Sequence, residues 1–151
     1  MGMYAEERRA MVGMVFPPYS FAVERGKIRE FAAAIGDMKD IYLDPEKAVG
    51  EGYADVAAPP TFGTVIDLWA GPGFINLSQK LKLNLVKVLH GEHKYEYLGD
   101  IVAGDVLTAT MTLADYSEKK NMDAFTFQTV YVNQRNEEVL RCRHVVLEMR
   151  T

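Results

Sequence analysis

Few side chains in this 151-residue chain are equipped for chemistry, and they fall in five places. Asp37 follows Gly36, which stops a helical pattern, so its carboxylate is either a turn residue or a general base. Tyr42, a little further on, is either a half-buried phenol over a short helix or a hydrogen-bond donor to a bound water. Phe62 and Gly63 open the most apolar helical stretch, where unpaired first-turn amides and the positive end of the helix can polarise a carbonyl oxygen. His90-Gly91 joins an imidazole to a residue that lets a ligand approach the backbone; the alternative is a strand residue at a kink. Lys119 and Lys120 offer point charges to an anion, or are simply a solvated pair in a polar loop.

The other reactive side chains read as structural. His93 and His144 sit in alternating strands as sheet residues. Cys142 alternates with Leu140 and reads as a small buried hydrophobe. A lone cysteine supplies neither an intramolecular disulfide nor a zinc framework. His90 and His93 lie three apart in a strand and are expected on opposite faces. No metal site is expected.

The elements that must carry these residues follow from periodicity. Tyr19 to Val23 alternates as a first strand. Ile28, Phe31, Ala32 and Ile35 recur at helical spacing until Gly36. A short helix is expected from Pro45 to Val49, with Asp44 as its cap and Pro45 in its first turn. The central stretch runs from Ala57 to Ala70. Pro59 and Pro60 force an extended approach, Thr61 is the expected cap, and Gly71-Pro72-Gly73 closes the helix. Asp67 is its only charge. Being apolar on nearly every side, this helix is expected inside a sheet.

Beyond Gly73 the chain reads as a connecting piece with Asn76 and Ser78, then an extended alternation at Leu81, Leu83 and Leu85. Four strands are expected around His93 to Tyr97, Leu107 to Leu113, Phe125 to Tyr131 and Val139 to Met149. A polar loop is expected from Asp115 to Asp123 and a turn from Asn133 to Glu137. The class is α+β, an antiparallel sheet wrapped around a central helix. Residues 1–18 read as a lead-in and 19–151 as a single domain. One sheet against one helix leaves an edge open, which pairing with a second copy or a similar chain would cover.

Composition narrows the partners. Lysine and arginine number 17 against 21 acidic residues, a net charge of −4, which disfavours nucleic acid. No apolar run reaches bilayer length, and Glu6-Glu7-Arg8-Arg9 lacks the order of a signal peptide. A cytoplasmic protein without membrane contact is expected.

Four segments then resemble a known family: Gly36-Asp37 with Tyr42-x-Asp44-Pro45, Pro60-Thr61-Phe62-Gly63, Leu89-His90-Gly91-Glu92, and Ala103-Gly104-Asp105. In that order, over about Tyr19 to Met149, they resemble the MaoC-like hot-dog dehydratases. They are closest to the N-terminal, non-catalytic type of domain. That type forms the first half of two-hot-dog (R)-specific enoyl-CoA hydratases, and it resembles one subunit of the mycobacterial hydroxyacyl-ACP dehydratases. Catalytic members carry Gly-Asp-x-Asn-Pro-x-His, whose Asp and His share one water. This chain reads Gly36-Asp37-Met38-Lys39-Asp40-Ile41-Tyr42, with a phenol where the imidazole would be. A phenol ionising near ~10 is a poor base at neutral pH.

The resemblance implies a hot-dog subunit that binds an acyl-CoA or acyl carrier protein thioester. It would act as a homodimer or beside a catalytic MaoC-type chain, with no cofactor beyond that substrate. His90-Gly91 would contact the acyl-CoA, and Lys119 or Lys120 its phosphates. Met11, Met14, Met38, Met111 and Trp69 would line an acyl tunnel or simply fill the core. The alternatives are a self-sufficient hydro-lyase using Asp37 with His90 or Tyr42, a non-enzymatic acyl-CoA binder, and a thioesterase.

Overall fold

A computed structural model describes residues 3–150. The first helix, α1 (Ala5–Ala10), precedes a short strand, β1 (Tyr19–Ala22). Helix α2 (Arg25–Ile35) ends at Gly36, whose φ of 72° is a left-handed cap that glycine adopts at little cost. Helices α3 (Asp40–Leu43) and α4 (Pro45–Gly50) follow. The Asp44 side chain caps α4 by accepting from the amides of Glu46 and Lys47, as the Asp-Pro pair foretold.

The central helix, α5, spans Gly63–Ala70 without a side-chain cap. Thr61 is not its cap. The Phe62 amide already donates to the Pro59 carbonyl at 2.9 Å and the Thr64 amide to that of Thr61 at 3.1 Å. The backbone has therefore begun to turn at the prolines, and Phe62 itself is helical. Nor is the helix enclosed all round. Phe62, Gly63 and Ile66 are buried, whereas Leu68 and Trp69 are each 73% exposed on the outer side.

The segment after Gly73 is a sixth helix, α6 (Phe74–Lys80), rather than a connecting piece. Leu81 is fully buried at its end, Lys82 adopts φ 52°, and Leu85–Lys87 is a single 3-10 turn. The leucine alternation there reflects packing beneath a turn and forms no strand.

Four long strands complete the chain: β2 (Val88–Tyr97), β3 (Val106–Lys119), β4 (Met122–Val132) and β5 (Glu138–Met149). The sheet is antiparallel in the order β1-β3-β4-β5-β2 and lies against the helices, the hot-dog arrangement. The expected loop from Asp115 to Asp123 is instead the end of a hairpin that turns at Lys120-Asn121. Its polar residues are absorbed by pairing: Tyr116 packs on Phe125, and the buried Asp123 meets Arg8 at 2.8 Å. The turn at Asn133–Glu137 is present, with the Asn133 side chain accepting from the amides of Arg135 and Glu137.

One face of the sheet carries the core in two adjoining parts. Leu107, Ala109, Leu140 and Cys142 pack under α2 and α5. Met111, Leu113, Phe125 and Phe127 pack under α1 and α6, with Leu77 and Leu81. Arg8 pins α1 down, donating to the carbonyls of Leu81 and Lys82 and to Asp123. No helix among the described residues is long and apolar enough to cross a membrane.

Candidate functional site

A cavity of about 510 Å³ opens between α5, α6 and the edge strand β2. Its walls are apolar, from Leu68, Phe74, Leu77, Leu89, Met111 and Val146. Its polar lining is Tyr19, Thr64 and Asp67 on one side and His90, His93 and His144 on the other.

Asp67 is the one charge of an apolar helix, and the fold holds it with two phenols. Tyr19 of β1 and Tyr131 of β4 both donate to its Oδ1, at 2.7 and 2.6 Å. Burial pushes the Asp67 carboxyl above the usual carboxylate range, and these two hydrogen bonds pull the other way. Both phenols are driven upward, first by burial and then by the neighbouring carboxylate.

The histidines come together through an irregularity in β2. The pairing with β5 shifts between His90 and Glu92, so Gly91 is an extra residue and the side-chain alternation is reset. His90 and His93 therefore share a face, with ring centroids 5.1 Å apart, against the expectation of opposite faces. His144 is the direct cross-strand neighbour of His93. Burial lowers the His93 imidazole and holds that of His144 down to about 4, with His93 and His90 adding to the latter. His144 stacks on Phe127 at 4.8 Å, and its Nδ1 is buried with no hydrogen-bond partner.

Cys142 lies beneath the cavity floor, 2% exposed, with its Sγ 2.9 Å from His93 Nε2. Burial pushes its thiol up to about 12. Tyr95 stacks on His93 at 4.6 Å and shares a 2.7 Å hydrogen bond with Thr64. This packing explains Gly63: a Cβ there would stand 2.6 Å from Tyr95 Cε1.

The residues singled out from sequence are dispersed. Asp37 forms an ion pair with Lys39 at 3.2 Å and Tyr42 is buried in the core, and neither lines the cavity. Tyr42 borders a separate cleft with Tyr53, Pro60 and Tyr97. Phe62 is fully buried, edge-on to Phe21 and Phe31. Gly63 is buried behind Tyr95, and His90 is exposed at the cavity. At Gly91 a Cβ would press on Leu147 at 3.0 Å. Lys119 ends β3 and Lys120 begins the hairpin turn, both exposed.

Of the proposed tunnel residues only Met111 lines the cavity; Met38 and Trp69 are exposed, and Met11 and Met14 pack beside α1. Reading the sequence missed Asp67, His93, His144 and Cys142 as a group. The one signal available was Asp67, a lone charge on an otherwise apolar helix.

A carboxyl, an imidazole and a thiol under an apolar cavity can hold a water, a proton or a metal ion beside a long apolar ligand.

Residues 10–142 match the family model described as FAS1-like, dehydratase domain region. A UPF0336 protein of Streptomyces avermitilis is 38% identical over 87% of this chain and 88% of its own length. Among solved structures, a chain of the HadBC (3R-hydroxyacyl-ACP dehydratase) complex from Mycobacterium tuberculosis superposes with a TM-score of 0.78. It is 23% identical and covers 91% of this chain and 96% of its own. A MaoC-like dehydratase reaches a TM-score of 0.81 at 24% identity, over 94% of this chain and 43% of its own. These likenesses establish the hot-dog fold.

Proposed function

Since the chain belongs to the FAS1-like family, dehydratase domain region, we propose that it is the acyl-thioester-binding subunit of a hydro-lyase. The reaction is (R)-specific hydration of an enoyl thioester, or equally dehydration of a 3-hydroxyacyl thioester. The thioester is carried on CoA or acyl carrier protein. A second hot-dog chain with an Asp and a His in the family's motif carries out the water chemistry.

One observation carries this reading. The cavity is large and apolar enough for a fatty chain, yet the frame equivalent to the catalytic motif lies elsewhere. There Asp37 is tied to Lys39, and a buried phenol stands at Tyr42. This chain thus offers the acyl group a berth without the Asp and His pair of the family's catalytic motif.

The partner's place is supported by surface chemistry. Leu68, Phe74 and Leu89 are exposed and line the cavity beside the edge strand β2. An apolar face next to unpaired edge groups is what a second hot-dog would cover. That a structural neighbour is a dehydratase complex supports a partner of the same fold. In this reading His90, which lines the cavity, contacts the thioester end, and Lys119 or Lys120 binds its phosphates.

Titration of the purified chain with acyl-CoAs of graded length tests the reading. Affinity is expected to rise with chain length until the cavity is filled. Leu68→Glu, at an exposed rim position that leaves the core intact, is expected to weaken that binding while the protein stays folded. Binding indifferent to acyl length would contradict the acyl-site assignment.

A further inference from the structure

Three metal-ligating groups from three separate elements meet under the cavity. Asp67 of α5, His93 of β2 and Cys142 of β5 each direct one ligand atom there, and these atoms lie within 4.8 Å of one another. We infer that Asp67, His93 and Cys142 form a binding site for one soft divalent cation, with Zn²⁺ the ion that best suits the donor set. This inference does not depend on what occupies the cavity above.

The donors decide the class of ion. A thiolate, an imidazole and a carboxylate together are borderline-soft, the mixture that selects zinc over magnesium or calcium, which take oxygen. Cys142 Sγ and His93 Nε2 are hydrogen-bonded at 2.9 Å, and a cation held by both would displace the thiol proton to solvent. The carboxylate is already aimed. Both tyrosine hydrogen bonds fall on Oδ1, which leaves Oδ2 for the ion. Such outer partners fix the orientation of a ligating carboxylate.

The surroundings lack any competing cation. No lysine or arginine lines the cavity, and among the described residues Asp67 forms no ion pair with one. A half-buried carboxylate whose side-chain partners among the described residues are neutral phenols stands in a place where positive charge is missing. Three protein ligands would leave room for a further ligand such as water, and Asp67 and His93 both line the cavity. His144 Nδ1, buried and unpartnered, is available to a water there. Sequence spacing could not reveal the site, because its ligands are distant in the chain and meet only through the helix-on-sheet packing.

The test uses the full chain, stripped of metal by chelator and titrated with Co²⁺ and then Zn²⁺. One equivalent of Co²⁺ is expected to produce a thiolate-to-cobalt charge-transfer band in the near ultraviolet, which Zn²⁺ abolishes by displacement. Cys142→Ser should remove the band, and His93→Gln or Asp67→Asn should prevent stoichiometric binding. Tyr131→Phe should weaken affinity by about tenfold through the loss of an outer hydrogen bond. Circular dichroism establishes that each variant is folded; if Cys142→Ser is not, the band in the unaltered chain decides. Absence of that band, or metal held equally well by the Cys142→Ser and His93→Gln variants, would overturn the site.

Discussion

The imidazole rings of His90 and His93 lie 5.1 Å apart on one side of β2, although their spacing in a regular strand would send them to opposite sides. The cause is the extra residue at Gly91, where pairing with β5 slips by one. A single bulge thereby delivers a third histidine to the cavity that His93 and His144 already border.

The bulge has a steric condition. A methyl group at Gly91 would sit 3.0 Å from Leu147 Cδ1 and Cγ, closer than the side chain tolerates without moving. Gly91→Ala is expected to cost about 1 kcal/mol, at the lower end for overpacking because the leucine end can give way. Urea unfolding measures it. A larger share of the effect should appear as altered His90 and His93 resonances than as loss of fold.

Arg8 should prove the costliest residue outside the main core. Only 3% exposed, it reaches Asp123 at 2.8 Å, Glu148 at 2.7 Å and two backbone carbonyls. Arg8→Met removes the cation and strands two largely buried carboxylates. A loss of about 3 kcal/mol is expected, the lower end for a broken buried pair, because Arg150 still serves Asp123. Denaturant unfolding compares the two proteins, and the Glu148→Gln, Arg8→Met double variant should lose less than the sum of its parts.

Asp55 supplies a prediction in pH. The Arg25 guanidinium holds it in a two-pronged hydrogen bond at 2.9 and 2.7 Å, and this holds its carboxyl below the usual range. A carboxyl lowered by folding contributes stability above its unfolded value and loses that contribution as pH falls through the lowered one. Arg25→Ala should therefore raise the Asp55 titration midpoint, followed by NMR, and flatten the acid limb of the stability curve. The effect is small because the arginine is well exposed.

How much of this was legible beforehand depended on whether a pattern was local. Strand β1, helix α2 and the capped helix α4 announce themselves through periodicity, Gly36 and Asp44-Pro45. Helix α6 did not, since only Leu77 and Leu81 mark its buried side and Asn76 and Ser78 give it a loop's composition. The end of the β3–β4 hairpin, Asp115 to Asp123, read as a loop because it is polar and charged, and the burial of Asp123 makes sense only once Arg8, distant in the chain, is seen to meet it.

The site was harder still. Asp67 stood out as a lone charge, but its two phenols come from β1 and β4, and its imidazole and thiol neighbours from β2 and β5. Register decides that meeting, and register across a sheet is not written in one strand. The resemblance in sequence led to Asp37 and Tyr42 because it follows a motif along the chain, whereas the cavity gathers residues across it.

The central claim is that this chain holds a fatty thioester without hydrating it alone, and hydration of crotonyl-CoA tests it most directly. The isolated chain is expected to show no turnover above background, and a mixture with a hot-dog partner bearing Gly-Asp-x-Asn-Pro-x-His is expected to hydrate the substrate. Turnover by the isolated chain at the rate of the mixture would contradict the account, as would a partner whose activity is unchanged by this chain.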